Sequence, residues 1–156
     1  MSGGARGKGR ALICGSLAFD NIMVFGDRFA NHILPDKIHI LNVSFLVPQM
    51  RREYGGCAGN IAYNLALLGD DGVPMATVGH DFGTYRQWLG NAGVPLDHVR
   101  LIESEHTAQA FITTDLDDNQ ITAFHPGAMQ HSHVNHVSEA RGITPVSYTH
   151  LTLPTN

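Results

Sequence analysis

Gly55, Gly56 and Asn60, in the stretch Gly55-Gly56-Cys57-Ala58-Gly59-Asn60, are the residues whose types and spacing best suit holding a small polar ligand. Neither glycine carries a Cβ, so the backbone there can turn tightly and lie close to a bound molecule. The Asn60 amide both donates and accepts hydrogen bonds. Asp20 is a second candidate. It follows the apolar run Ala11-Leu12-Ile13-Cys14-Gly15, which reads as a strand buried on both faces of a parallel sheet. That places Asp20 at the C-terminal edge of the strand, where open α/β sheets bind ligands. Other clusters carry less. His125, His131, His133 and His136 have no zinc-site spacing and no cysteine or carboxylate among them, so they read as surface histidines near a helix start. Asp115, Asp117 and Asn119 alternate as in a calcium loop, but Gln120 stands where glycine is needed and Pro126 where the bidentate acid is needed. A solvated turn is expected there. Gly7-Lys8 lacks the spacing of a phosphate loop, with Ser2 for the first glycine and Gly9 for the Ser/Thr.

The elements that must position these residues follow from periodicity. After the glycine pair, Ile61, Leu65 and Leu68 recur at helical spacing as a core face. Ala58, Ala62 and Ala66 form a second, small-residue row, and Gly69 supplies a left-handed cap. Residues 74–79 read as another buried strand. Asp81 is expected to cap the next helix, which buries Tyr85, Trp88, Leu89 and Ala92 and stops at Gly93 and Pro95. A strand at 99–102 and a hairpin pairing 108–116 with 120–124 come next. Between Asp20 and the glycine pair, residues 22–25 and 42–47 read as strands. A polar insert with His32, Lys37 and His39 separates them. The pattern is that of an α/β chain.

Gly-Gly-x-x-x-Asn-x-Ala-x-x-Leu-Ala-x-Leu-Gly, filled here by Gly55, Gly56, Asn60, Ala62, Leu65, Ala66, Leu68 and Gly69, resembles the N-terminal motif of the ribokinase/PfkB family of ATP-dependent sugar and nucleoside kinases. Gly15-Ser16-x-x-x-Asp20 and Val78-Gly79-x-Asp81-x-Gly83 are similar to two further motifs of that family. The resemblance spans roughly residues 11–142. It implies a partial ribokinase-like fold, a parallel sheet flanked by helices with a small β lid at about 22–54 and 107–125. It implies that Asp20 grips substrate hydroxyls, as a carboxylate accepting two charge-assisted hydrogen bonds would, and that Gly55, Gly56, Asn60, Gln109 and Phe124 line the substrate. It resembles adenosine-kinase-like bacterial members more than compact ribokinases. The family transfers the γ-phosphoryl group of ATP to an alcohol, with Mg2+, through a Gly-x-Gly-Asp segment whose helix amides hold the developing charge and whose Asp is the base. No Gly-x-Gly-Asp occurs among these 156 residues. The expectation is therefore a substrate-binding half with no catalytic residue of its own and no cofactor bound. A non-catalytic ligand-binding or lid-mediated dimerisation module is the alternative.

Composition bounds the rest. With 14 acidic and 10 Lys/Arg residues and a formal net charge of -4, there is no basic run to suggest a nucleic-acid partner. No apolar run approaches the roughly 20 residues of a spanning helix, so no membrane partner is expected. Cys14 and Cys57 lack paired spacing, which suits a reduced, cytoplasmic compartment. The apolar face of Val43, Phe45 and Val47 is expected to meet either the substrate or a second subunit, giving a homodimer through the lid. Residues 1–10 read as a disordered lead-in, 11–144 as the kinase-like part, and 145–156 as a non-native, adaptor-derived tail.

Overall fold

The computed structural model describes residues 10–147. The expected lead-in, apart from Arg10, and the expected tail beyond Ser147 lie outside the described residues.

Two four-stranded sheets make up the molecule. The first is all parallel and is built from β1 (Arg10–Cys14), β4 (Asp71–Gly79), β5 (Val99–Ile102) and β8 (Thr144–Ser147), in the order β5-β4-β1-β8. The boundary expected at residue 144 coincides with the start of β8, so that strand takes in three residues assigned above to the tail. β4 is buried along almost its whole length, as a central parallel strand must be. It starts three residues earlier than expected, because Pro74 does not end it. Pairing with β5 begins only at Ala76, so on that side no partner meets the nitrogen that proline leaves without a proton.

Helices α1 (Cys57–Leu67) and α2 (Gly83–Asn91) cover one face of this sheet. Ile13, Ala76 and Val78 meet Ala58, Ala62, Tyr85 and Leu89 in one buried cluster. The small-residue row of α1 is its innermost face. A Cβ on Gly72 would stand 2.7 Å from the Cα of Ala62, so the missing side chain of Gly72 permits that approach. Ile61 and Leu65 pack at the margin of the cluster, while Leu68 is 79% exposed. The expected leucine face is thus displaced by about one row. Both helices end as the glycines predict. Asp70 N–H bonds the Leu65 carbonyl and Gly69 N–H that of Ala66; Val94 and Gly93 repeat the pattern on Leu89 and Gly90. The other face is covered by the 3-10 turn at Gly127–Val134 and by Ala140, which packs on Leu12, Val73 and Met75, with Thr77 Oγ1 donating to the Ala128 carbonyl at 2.6 Å.

The second sheet is the lid, built from β2 (Ala18–Val24), β3 (Gln49–Gly55), β6 (Ala108–Thr114) and β7 (Gln120–His125), in the order β3-β2-β6-β7. β2 and β6 run parallel; the other pairs are antiparallel. The first lid segment differs from expectation in two ways. β2 starts at Ala18 rather than at 22, and residues 42–47 form no strand. Phe45 instead folds back onto Phe25 and Phe29, with ring centroids 4.8 and 5.0 Å apart. Its face is thus turned to the chain's own aromatic cluster. In the β6–β7 turn, Asp115 Oδ1 accepts the N–H groups of Asp117 and Asn119, and Oδ2 accepts that of Phe29. Among the described residues no helix is long and apolar enough to cross a membrane.

Gly56 has φ +89°, and a Cβ there would stand 2.5 Å from the Ser16 carbonyl oxygen. Gly56→Ala is expected to lose more than about 2 kcal/mol in urea unfolding. Gly90→Ala, with open space around it in α2, should gain about 0.5–1 kcal/mol.

Candidate substrate-binding site

The glycine pair does its work within the chain itself. A Cβ on Gly55 would collide with the Asp20 carboxylate, and one on Gly56 would meet the backbone of Ser16 and Ala18. Asp20 therefore lies flat against the Gly55 backbone. The Gly55 carbonyl accepts the Tyr85 hydroxyl at 2.8 Å, and Tyr85 reaches it across Gly59, whose missing side chain leaves room for the hydroxyl. Burial, together with the charge of Asp20 and the neighbouring Tyr54, pushes the Tyr85 hydroxyl up, so it remains a donor. A ring column of Phe19, Tyr85, Tyr54, Trp88 and Tyr63 continues from there, with Tyr54 and Tyr85 4.6 Å apart and Tyr63 and Trp88 4.2 Å apart.

Ser16 organises the start of α1. Its Oγ accepts the Cys57 N–H at 3.2 Å, and its carbonyl accepts those of Ala58 at 3.0 Å and Gly59 at 3.4 Å. These three amides would otherwise be unsatisfied at a helix start. A residue outside the helix uses them up, so this turn cannot cradle a phosphate. Asn60 follows, its backbone N–H on the Gly56 carbonyl and its side chain exposed.

Asp20 is placed in β2, within the lid sheet, rather than at the tip of β1 as expected. The chain leaves β1 through a short turn and pairs with β6 before Asp20 is reached. Alternation along β2 sends Asp20 and Asn21 to opposite faces. On the Asp20 face the register sets Glu53 directly across on β3, Ala110 across on β6, and Phe124 beyond it on β7. Phe124 is 45% exposed. Half-burial, with the charge of Glu53, raises the Asp20 carboxyl above the usual aspartate value. Among the described residues no group hydrogen-bonds that carboxylate.

Gln109 stands apart from these. It lies on the Asn21 face, where its Oε1 accepts from Asn21 Nδ2 at 3.3 Å and Arg52 at 3.4 Å, and its Nε2 donates to Asp81 Oδ2 at 3.3 Å. Asp81 is not the cap of α2. That position is Phe82, with no side-chain bond. Burial disfavours the Asp81 carboxylate, yet the Thr107 N–H at 2.7 Å and its other donors hold its carboxyl below the usual value. Of the histidines, His131 faces Glu105 at 3.4 Å from a 3-10 turn, and His125, His133 and His136 are exposed. Sequence reasoning missed Ser16, Tyr85 and Gly59 as site builders. The available signal was Gly59, a glycine in the first turn of a helix, where alanine is favoured by about 1 kcal/mol unless something needs the space.

The profile of the pfkB family carbohydrate kinases matches residues 20–147. The chain belongs to this family. Over 122 residues, 77% of this chain and 36% of the relative, it is 34% identical to a nucleoside kinase of Methanothermobacter thermautotrophicus. Over 92 residues, 58% of this chain and 30% of the relative, it is 38% identical to a nucleoside kinase of Methanocaldococcus jannaschii. The structure of the Burkholderia thailandensis nucleoside kinase in complex with inosine is similar at a TM-score of 0.75 and 56% identity, over 85% of this chain and 42% of that one. The chain spans about a third of the length of these curated relatives. The pfkB match begins at Asp20.

Two outcomes test this geometry. Tyr85→Phe leaves the buried Gly55 carbonyl without its donor and should cost about 1–3 kcal/mol in urea unfolding. Asp20 binds its proton more tightly folded than unfolded, so its ionisation lessens stability. Unfolding free energy should fall as pH rises from the ordinary aspartate range through the raised Asp20 value, and Asp20→Asn should remove that part of the slope.

Proposed function

We propose that this chain is the substrate-binding part of an ATP-dependent kinase that phosphorylates a hydroxyl of a nucleoside. One observation carries the proposal: a half-buried carboxylate, Asp20, is pressed against a glycine backbone and has no hydrogen-bond partner among the described residues. A vicinal diol supplies what such a group lacks, two donors at fixed spacing, and charge-assisted hydrogen bonds are the strong kind. Asn60, exposed on the first turn of α1 beside Gly55 and Gly56, adds a group that both donates and accepts.

A nucleoside is favoured over a simple sugar by the rest of the Asp20 face. Phe124 lies two strands from Asp20, about 10 Å at ordinary strand spacing. Its half-exposed ring offers an aromatic surface to a base while the ribose hydroxyls reach the carboxylate. The nucleoside kinases of the two archaeal relatives and the inosine complex of the Burkholderia enzyme support the same class.

ATP is the phosphoryl donor in this reading, with Mg2+ as its companion. The described residues do not fit the nucleotide's phosphates. The amides at the start of α1 are occupied by Ser16, and no Gly-x-Gly-Asp is present to supply a base and an anion hole. The steps this chain performs are recognition, orientation and exclusion of water by the lid. By itself it is expected to bind and not to transfer.

Calorimetric titration of inosine, adenosine, ribose and fructose 6-phosphate tests the reading. Nucleosides should bind most tightly, and no phosphorylated product should form with ATP and Mg2+. Asp20→Asn should weaken inosine at least about tenfold, the worth of a charge-assisted hydrogen bond. Because the ionised carboxylate is the acceptor, affinity should rise with pH through the raised Asp20 value. Equal binding by Asp20→Asn, or turnover by this chain alone, would refute the proposal.

A further inference from the structure

We infer that Gln109 is a positioning residue for Asp20, the central link of a hydrogen-bonded chain that ties the lid sheet to the end of β4. The inference rests on the reading of Asp20 as the hydroxyl acceptor. Asn21, the residue after Asp20, is 1% exposed, and its Nδ2 donates to both Gln109 Oε1 and the Ala110 carbonyl at 3.3 Å. Arg52 donates to Asn21 Oδ1 at 2.9 Å and to Gln109 Oε1 at 3.4 Å, with its guanidinium 4.9 Å above the Phe19 ring. From the far end of Gln109, Nε2 donates to Asp81, which in turn accepts the Thr107 N–H. Three lid strands, β2, β3 and β6, are thereby bound to the turn that follows β4.

An amide is the group that fits this place. Its oxygen faces two donors, and its nitrogen faces a carboxylate. A glutamate in place of Gln109 would satisfy Asn21 and Arg52 but set two carboxylates against each other. A leucine there would leave the buried Asn21 amide only the Ala110 carbonyl as acceptor. Elsewhere the lid is joined to the parallel sheet near Ser16 and Gly56 and, ahead of β6, where Thr107 Oγ1 accepts the Gly79 N–H. The Gln109 link adds a tie to β2 itself, at Asn21, one residue along from the carboxylate it serves.

The decisive comparison is Gln109→Glu against Gln109→Glu combined with Asp81→Asn. In the double variant the amide introduced at position 81 donates to the carboxylate introduced at position 109, and its oxygen still accepts the Thr107 N–H. Every hydrogen bond of the link is then rebuilt, with only the one between positions 109 and 81 reversed in polarity; the His106–Asp81 contact at 3.6 Å is the one given up. Gln109→Glu should weaken inosine about tenfold in calorimetry, a coupling typical of contacting polar residues. It should also move the Asp20 carboxyl titration, followed by NMR, back toward the ordinary aspartate value, against the rise that a second carboxylate would cause by its charge alone. The double variant should restore both. A single variant that melts lower yet keeps both readouts, or a double variant no better than the single, would overturn the inference. If the unaltered chain binds no inosine, the hydroxyl-acceptor reading fails by itself. The Asp20 titration then still decides the link, and an unmoved or raised titration in Gln109→Glu would overturn it.

Discussion

The placement of Asp20 depends on two side chains that are not there. Gly55 has no Cβ, so the carboxylate rests on its backbone; Gly59 has none, so Tyr85 reaches the Gly55 carbonyl through a space any larger residue would fill. The three are coupled. The Tyr85 hydroxyl fixes the peptide against which Asp20 lies, and Tyr85 is in turn wedged among Phe19, Tyr54 and Phe82. A half-buried carboxylate held so firmly pays for its desolvation in a raised proton affinity. That same dehydration strengthens any hydrogen bond a hydroxyl makes to it.

The two sheets meet at two backbone junctions, each built by glycine. At one, Ser16 answers three amides of α1 while Gly56 lets its carbonyl approach. At the other, Gly79 and Gly127 admit the backbone of residues 105–107. Thr107 Oγ1 accepts the Gly79 N–H at 3.0 Å, and the His106 carbonyl accepts that of Ala128 at 2.8 Å. Ser16 Oγ and Thr107 Oγ1 supplement backbone-to-backbone bonds at the two places, so the position of the lid is set by directional contacts as well as by packing.

Much of this is legible in the sequence, because much of it is periodic or conformational. The strand at 99–102, that at 120–124 (one residue short of β7), the caps at Gly69 and Gly93 and the α/β class follow from rules that act within a few residues. The departures come from contacts that sequence does not display. Leu68 fits a helical stripe, but the close crossing at Gly72 presents Ala58 and Ala62 to the sheet, and the stripe turns outward. Asp81 has the look of a cap, yet a loop 26 residues away offers it a better donor in Thr107. Residues 42–47 alternate like a strand and keep Phe45 inward without any strand partner, since Phe25 and Phe29 provide the apolar surface. The motif marks Asp20 but its neighbours misplace it, because nothing in Gly15-Ser16-Leu17 announces that the chain changes sheets there.

The change of sheet also explains how one strand can serve two purposes. In β2, period-two alternation gives Asp20 to the open face and Asn21 to the buried one. A one-residue slip of β2 against β6 would exchange them, burying the carboxylate and exposing the amide. The link through Gln109 resists that slip, since Asn21 can meet Gln109 and Arg52 only in the observed register. The burial of a polar network under the lid then has a physical reason. An apolar face would hold the sheet down equally well but would tolerate sliding, whereas directional hydrogen bonds do not. Fixing register on one face is what gives the other a carboxylate at a defined place.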